Sequence, residues 1–431
     1  MRRLACCSAV AAALLVLAPS AFGGISNPND PYFTTHQQWG LTGTAASINA
    51  PAAWCASTGQ SVLIADVDSG ADFAHPDLAG KLVAGAAFLN GTGQPSGTGV
   101  AAVSDDNGHG SMTTGLMVAD TNNRVGIASV APDAKALVMK VLDSGGNGND
   151  TDVAGAVRWA VDHGAKVVNL SIGADVPLTG DMSNMTSAID YAYSHGAAVA
   201  LAAGNNSLPL TDYQFSQIAD EALVVGALGP TGGVAYYSTS GVGVNIYAPG
   251  GDDTYGTNAR GLILSTHTKE GYAVAEGTSF AAPHAAGVLA LLVAHGMTGP
   301  QARQRVLDTA DNSSGVPRLD AARALSASGG CATAGSGARG SAPVPVPQHV
   351  ATSPLRANTS PRTAAPSSAA PSTPHAAVSV SSPEASASAP PLAVAPIPHR
   401  SSRARSWVLI AGALACAAVA SGFALLTFAR R

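Results

Sequence analysis

The stretch VLIADVDSG at residues 62–70 decides the fold, because it is a short apolar run that ends on a carboxylate and a turn. Such a run is typical of a buried strand. Similar runs recur along the chain, and the predicted strands are 62–67, 136–141, 166–170, 197–202 and 222–227. Helical patterns lie between them, at 152–162 and 182–194, and another follows Ser279. Strands that alternate with helices predict an α/β fold with a parallel sheet and crossover helices.

Composition divides the 431 residues into a globular part and a linker. Residues 24–328 mix apolar runs with Gly and Asp, as a packed domain does. Residues 329–405 consist mainly of Ala, Ser, Pro, Thr and Gly. A segment of that composition buries too little apolar surface to offset its ordering entropy. We therefore expect one globular domain followed by a disordered, Pro-rich linker.

The two ends of the chain predict export and anchoring. Residues 1–23 read as a secretory signal, in which two arginines precede an apolar run and small residues follow it. An N-terminal membrane anchor is the alternative. Residues 406–429 are apolar and uncharged, long enough for a transmembrane helix, and 430–431 are a basic tail. The sequence predicts a single-pass protein of the cell membrane with its globular domain outside; a cell-wall sorting signal that is later removed is the alternative.

Charge and cysteine content limit the partners. The formal net charge is −5 with no basic stripe, which argues against nucleic acid as a partner. Of five cysteines, Cys55 and Cys331 lie outside the signal and the apolar tail. Export permits a disulfide between them, and two free thiols are the alternative.

Three motifs place reactive side chains at turns, where an open α/β sheet binds its ligands beyond the carboxyl ends of strands. Asp68 ends the first strand. His109 lies between two glycines, which would let the backbone approach a substrate, just before a helical run at 111–119. The stretch GTSFAAPH at 277–284 sets Ser279 at the opening of an Ala-rich helix. Each motif alone is also compatible with an ordinary turn or cap residue.

Together, the three motifs resemble the subtilases in order and spacing. The resemblance covers about residues 29–325, and NDPY at 29–32 is similar to the thermitase branch. It implies a subtilisin-like fold, a doubly wound, mostly parallel sheet with helices on both faces. It also implies a serine endopeptidase that hydrolyses peptide bonds in polypeptide substrates.

The resemblance assigns a role to each reactive residue. Ser279 would be the nucleophile, His109 its base and later the acid, and Asp68 the group that fixes the imidazole tautomer. Asn205, in AAGN at 202–205, would donate to the oxyanion together with the backbone N–H of Ser279. Without the resemblance, Asn205 is an ordinary loop asparagine.

The resemblance also implies substrate and metal sites. The segments LDSGG at 142–146 and LSIG at 170–173 are similar to those that pair with a peptide as added strands. The predicted substrate-binding residues are Ser144, Gly145, Gly146, Ser171, Ile172, Gly173 and Gly204. A calcium site is implied as well, with ordinary surface turns as the alternative. Its predicted ligands are Asp30, Asp77, Asp120, Asn123, Val125 and Ile127.

Some features depart from the family pattern. Asp66 lies on the same strand face as Asp68, where the family usually has an apolar residue, and we expect Asp68 alone to be essential. Phe280 after the nucleophile, and the order of signal, linker and apolar tail, resemble the mycosin branch. That similarity raises the hypothesis of an association with a type VII secretion system.

Few residues separate the signal from Asp30, fewer than a folding propeptide would need. We therefore expect either that the domain folds without a propeptide, with the help of calcium, or that its activity is restrained by other means. The alternative function is a catalytically silent subtilase-fold surface protein that binds peptides. Because a pure binder has no reason to retain all four reactive positions, their presence favours the enzyme.

Overall fold

The computed structural model describes residues 25, 27–172, 183–207, 209, 218 and 220–325, and the backbone of 350–356. In chain order the strands are β1 Leu63–Asp68, β2 Leu82–Ala87, β3 Gly97–Thr98, β4 Lys135–Lys140, β5 Val167–Leu170, β6 Ala198–Ala202, β7 Ala222–Leu228, β8 Ile246–Pro249, β9 Ile263–His267, β10 Gly271–Glu276 and β11 Val350–Arg356. The α-helices are α1 Pro31–Thr34, α2 Ala50–Ala53, α3 Val100–Val103, α4 His109–Val118, α5 Asp150–Asp162, α6 Ser183–Ser194, α7 Thr278–Ala294, α8 Gly299–Asp308 and α9 Ala321–Ala324.

The central sheet has the strand order β3-β2-β4-β1-β5-β6-β7-β8. Neighbouring strands are parallel throughout, except that β3 pairs antiparallel with β2 at its edge. The five strands predicted from apolar runs are β1, β4, β5, β6 and β7, each within one residue of the predicted bounds. The predicted mostly parallel α/β sheet is therefore confirmed.

Helices cover both faces of this sheet. Ile64 of β1 belongs to the core cluster that contains Met117 of α4 and Leu289 of α7. Val67, which points to the opposite face, packs in the cluster that contains Val157 of α5 and Ile189 of α6. The doubly wound arrangement follows from this alternation of side chains along β1.

A second, smaller sheet was not predicted. Strands β9 and β10 pair antiparallel, and the backbone of β11 lies parallel to β10. Strand β11 falls within 329–405, where composition predicted a disordered linker; the rest of that stretch lies outside the described residues. The predicted signal at 1–23 and the apolar segment at 406–429 also lie outside them.

Helix α7 is the central helix of the core. All its residues from Thr278 to Leu292 are buried, as expected of a helix that is apolar all round. Within the described part of the chain, no single helix has the length and composition to cross a membrane, although α7 and α8 pass that test as a pair bent by 116°. Cys55 is disulfide-bonded and its partner lies outside the described residues, so the pairing with Cys331 stays a prediction.

Candidate active site

The order of the central strands gathers the predicted site at one edge of the sheet. Strands β4, β1, β5 and β6 are parallel neighbours, so their carboxyl ends meet at the same edge. The residues that follow these ends are the loop 142–146, Asp68 itself, Ser171, and the pair Gly204 and Asn205. Residues more than 100 positions apart in the sequence are thus brought side by side.

The buried carboxylate of Asp68 binds the imidazole of His109. Nδ1 of His109 lies 2.8 Å from Oδ1 and 2.9 Å from Oδ2 of Asp68. A carboxylate only accepts, so Nδ1 carries the proton and Nε2 is the nitrogen that can take another. Burial lowers the pKa of His109, but the charge of Asp68 and its hydrogen bond outweigh burial, and the pKa is raised overall. The pair has the geometry of an oriented general base.

The glycines on either side of His109 serve packing within the protein. Gly108 has φ 106°, and a Cβ there would overlap the ring of His267. A Cβ on Gly110 would overlap the carbonyl oxygen of Gly70. These close approaches are to other parts of the chain, and the expected approach of this backbone to a substrate stays a prediction.

Asp105 fixes the loop that carries His109, a role that sequence analysis missed. Its Oδ1 accepts from the backbone N–H groups of Asn107 and Gly108 at 3.0 and 2.8 Å. Oδ1 also accepts from the Ser69 hydroxyl at 2.9 Å, and Oδ2 accepts from the N–H and hydroxyl of Ser111. Asp105 therefore ties the start of α4 to the residue after Asp68. An aspartate two residues before Asn-Gly is typical of such a turn and could have indicated it.

Ser279 lies in the first turn of α7 and is 5% exposed. The ring of the next residue, Phe280, has its centroid 5.4 Å from that of His109. Pro283 has no N–H to donate to the Ser279 carbonyl four residues earlier. The hydroxyl of Ser171 donates to that carbonyl instead, at 2.8 Å. The turn that carries Ser279 is thus held by the end of β5.

Asn205 is oriented by the residue next to Ser279. Its Oδ1 accepts from both the backbone N–H and the hydroxyl of Thr278, each at 2.9 Å. Because a backbone N–H can only donate, the partner atom must be the amide oxygen, and Nδ2 is the end that can donate. The hydroxyl of Thr278 also accepts from the N–H of Gly204 at 3.1 Å. Thr278, which sequence analysis missed, links β6 to α7.

The predicted substrate segments lie on either side of β1. Asn107 donates its amide to the carbonyl of Ser144 at 3.2 Å, and the N–H of Gly145 donates to Oδ1 of Asp143 at 2.9 Å. Gly146 adopts φ 80° in the same tight loop. On the other side, Ser171 is buried, Ile172 is half-buried, and Gly173 lies outside the described residues.

Two of the predicted calcium ligands are buried carboxylates that hold one loop. Both Asp30 and Asp77 have no exposed surface. Asp30 accepts from the N–H groups of Asn122 and Asn123, and Asp77 accepts from the N–H of Ile127 at 2.9 Å. Burial raises the pKa of Asp30 to about 6 and that of Asp77 to about 7. Because none of these partners is a basic side chain, the two buried carboxylates form a site that a cation could neutralise.

Two other predicted calcium ligands, Asp120 and Asn123, have side chains that are engaged by other groups of the protein. The carboxylate of Asp120 lies 3.1 Å from Nζ of Lys81. Asn123 turns its amide nitrogen toward Asp77, while its oxygen accepts from the N–H of Val125 at 2.6 Å. In this arrangement Oδ1 of Asp120 and the side-chain oxygen of Asn123 already have partners. No three His, Cys, Asp or Glu side chains cluster as a metal site within the described ranges.

A parallel sheet whose edge gathers a carboxylate–imidazole pair and a serine at a helix N-terminus defines a hydrolase of the serine-nucleophile type. The chain belongs to the subtilase family: residues 59–331 match the model of that family. It is 38% identical over 291 residues to thermitase of Thermoactinomyces vulgaris, which covers 67% of this chain and 93% of thermitase. It is 36% identical over 296 residues to a thermophilic serine proteinase of Bacillus sp. (strain AK1), covering 68% and 67%.

Solved structures agree with this assignment. A protease from Pseudoalteromonas arctica superposes with a TM-score of 0.62 at 29% identity, covering 70% of this chain and 99% of that one. The predicted subtilase, with a thermitase-like catalytic domain, is confirmed. The chain is a serine endopeptidase of the subtilisin-like class, and its substrates are polypeptides.

Proposed function

We propose that this subtilase is an exported, membrane-tethered endopeptidase that cleaves polypeptides with Asp68, His109 and Ser279, and with Asn205 as an oxyanion donor. The observation that carries the proposal is the contact of His109 Nδ1 with Asp68, which leaves Nε2 available as a base. Two hydrogen bonds that hold the Ser279 turn also support the proposal. Ser171 donates to the Ser279 carbonyl, and the N–H of Thr278 donates to Asn205.

The chemistry follows from these positions. The hydroxyl of Ser279 adds to the scissile carbonyl carbon while His109 Nε2 takes its proton. Asp68 stabilises the imidazolium that forms. The negative charge on the carbonyl oxygen is met by Nδ2 of Asn205 and by the N–H of Ser279, which has no partner within the helix. His109 then protonates the leaving amine, and water hydrolyses the acyl-enzyme by the reverse proton path.

A peptide library tests the proposal against its alternative, a silent peptide-binding protein. The purified full chain is incubated with the library, and products are identified by mass spectrometry. The proposal expects cleavage that a fluorophosphonate abolishes. Binding of library peptides without cleavage favours the silent protein and contradicts the enzyme.

Replacing Asn205 by alanine is expected to lower kcat by about 10²- to 10³-fold with little change in KM, because the lost amide donor acts on the oxyanion and not on the ground-state substrate. Steady-state kinetics on a chromogenic peptide measures it. Asn206→Ala is the matched control, because Asn206 bonds to Thr239 and not to Thr278. An equal fall in the two variants contradicts the oxyanion role.

The tether and the export are proposed from the sequence of the ends. Residues 1–23 have the pattern of a signal, and 406–429 have the length and composition of one membrane span. We expect the full chain in the membrane fraction and a chain that ends at residue 405 in the medium. Recovery of both from the same fraction contradicts the tether. Association with a secretion system stays a prediction.

We also propose a structural calcium ion held by Asp30 and Asp77, with backbone carbonyls of Val125 and Ile127 as further ligands. The proposal is supported by the burial of both carboxylates and by their raised pKa values. A bound cation supplies the charge compensation that the neighbouring N–H groups give only in part.

Calcium is therefore expected to stabilise the protein increasingly as pH rises. Both carboxyls hold protons more tightly when folded than when unfolded, so stability without metal falls as pH passes through about 6 to 7. Calcium needs the ionised forms, and we expect it to raise Tm over a chelator by roughly 5–10 °C at about pH 8 and far less at about pH 5. Differential scanning calorimetry measures this, with Mg²⁺ as the control ion. A calcium effect independent of pH contradicts the assignment to these carboxyls.

A further inference from the structure

A second buried carboxylate, that of Asp66, lies beside the site and has no part in the mechanism above. It occupies the same face of β1 as Asp68 and is 1% exposed. Its Oδ2 accepts from the hydroxyls of Thr113 and Thr114 at 2.9 and 2.5 Å. Its Oδ1 accepts from Nδ2 of Asn169 at 2.9 Å. Three donors thus converge on one carboxylate in the core.

These donors connect Asp66 to both reactive elements. Thr113 and Thr114 belong to α4, the helix that begins at His109. Asn169 gives its second amide hydrogen to the hydroxyl of Ser171 at 2.9 Å, and Ser171 donates to the Ser279 carbonyl. The carbonyl is open to Ser171 because Pro283 leaves it without a helical donor. A continuous path of hydrogen bonds therefore runs from Asp66 to the backbone of Ser279.

The orientation of the Asn169 side-chain amide indicates that the carboxylate of Asp66 holds it in place. Asn169 is fully buried, and its Oδ1 has no hydrogen-bond partner in the described part of the protein. With the amide turned over, Oδ1 would face the carboxylate of Asp66, and Nδ2 would no longer donate to Asp66 and Ser171. An orphaned buried acceptor is unfavourable, so a carboxylate that needs a donor must hold the amide in place.

We propose that Asp66 is a positioning residue whose carboxylate aligns α4 through Thr113 and Thr114 and aligns the Ser279 turn through Asn169 and Ser171. This inference rests on the proposed function, because it concerns the alignment of His109 with Ser279. When Asp66 is protonated it can accept fewer of the three hydrogen bonds. Both reactive elements then lose part of their support.

The charged groups around Asp66 make its ionisation relevant near neutral pH. Burial first, and then the charge of Asp68, raise the pKa of Asp66 to about 7 against its three hydrogen bonds. On α4 the facing titratable group is His109, whose pKa the charge of Asp66 helps to raise. On β4, Lys140 is engaged by Asp106 and the Ser69 carbonyl, and on α7 burial keeps His284 neutral with a pKa of about 4. Strand β5 contributes only Asn169 to these contacts.

Two ionisations should therefore control the acid limb of the pH profile. In the unaltered protein, log kcat/KM is expected to fall with a slope that approaches two over the first one to two decades of loss, on the order of the loss expected for Asp66→Asn. Protonation of His109 removes the base, and protonation of Asp66 weakens its support of both elements. In Asp66→Asn the slope should become one. The limb should also move to lower pH by on the order of one unit, because the charge that raises the pKa of His109 is gone.

The experiment compares Asp66→Asn with Asp152→Asn in the full chain. Asp152 is a matched control: it is fully buried on the α5 face and also accepts from three donors, Gly91, Gly93 and Asn149, away from the site. We expect Asp66→Asn to lower kcat by about 10- to 100-fold with KM little changed, as small misplacements of reacting groups do. Asp152→Asn should leave kcat and the slope unchanged.

A labelling experiment and a second variant separate failure of the proposed function from failure of the role of Asp66. Fluorophosphonate labelling of the unaltered protein reports on the proposed function separately, since its absence refutes that function whatever Asp66 does. If Asp66→Asn does not fold, Ser171→Ala replaces it and should lower kcat about tenfold while the slope stays near two. A slope of one in the unaltered protein, or unchanged kcat in the variant tested, overturns the role of Asp66.

Discussion

Replacing Ser279 by alanine is expected to lower kcat by about 10⁶-fold, the size of the loss when the nucleophile of a subtilisin triad is removed. The reason is that the acyl-enzyme cannot form, while the oxyanion donors and the substrate cleft remain. Ser279 lies in the first turn of the buried helix α7, and the ring of the next residue, Phe280, contacts that of His109. Single-turnover kinetics on a peptide substrate measures the residual rate.

The control for this substitution is Ser187→Ala. Ser187 is exposed on α6, where its hydroxyl accepts from Arg158 at 2.7 Å, on the opposite face of the sheet. Its replacement should leave kcat and KM unchanged. Comparable activity of Ser279→Ala and the unaltered protein would show that another nucleophile performs the reaction.

Replacing Asp68 by asparagine is expected to lower kcat by about 10⁴-fold near neutral pH. An amide can donate to Nδ1 of His109, which stabilises the tautomer that carries its proton on Nε2 and cannot act as the base. The carboxylate also no longer stabilises the imidazolium. The pH dependence of kcat/KM measures the effect.

Comparison with Asp66→Asn distinguishes the contributions of Asp66 and Asp68 to activity. Only Asp68 contacts His109 through the described hydrogen bonds, whereas those of Asp66 go to Thr113, Thr114 and Asn169. The loss from Asp66→Asn should therefore be at least one hundred times smaller than that from Asp68→Asn, on the order-of-magnitude values given for each. Equal losses in two folded variants would contradict the assignment of Asp68 as the essential carboxylate.

The central sheet was predictable because its strands are short continuous apolar runs. In β1, β4, β5, β6 and β7 the pattern alone defined the element to within one residue. Strands β9 and β10 carry polar residues such as Ser265, Thr266 and Glu276, so they lack that signal. Their pairing places Ser265 and Thr266 against the carbonyls of α4, a contact that no local pattern contains.

The motifs of the proposed reactive residues were recognisable in the sequence, but the contacts that hold them were not. The motifs at Asp68, His109 and Ser279 are local, and sheet order brings their strand ends together. The partners of Asp66 lie 47, 48 and 103 residues away, so neither periodicity nor spacing could identify them. The same holds for Asp120, whose pairing with Lys81 depends on the folded loop and not on its motif.

The role of Ser279 is tested most directly by active-site labelling of the purified full chain with a fluorophosphonate, followed by peptide mapping. One labelled peptide is expected, with the phosphonyl group on Ser279, and no labelling is expected in Ser279→Ala. Labelling should also become much slower in His109→Ala, since the serine then lacks its base. Absence of labelling in the folded, unaltered protein, or a label on a different serine, would contradict Ser279 as the nucleophile.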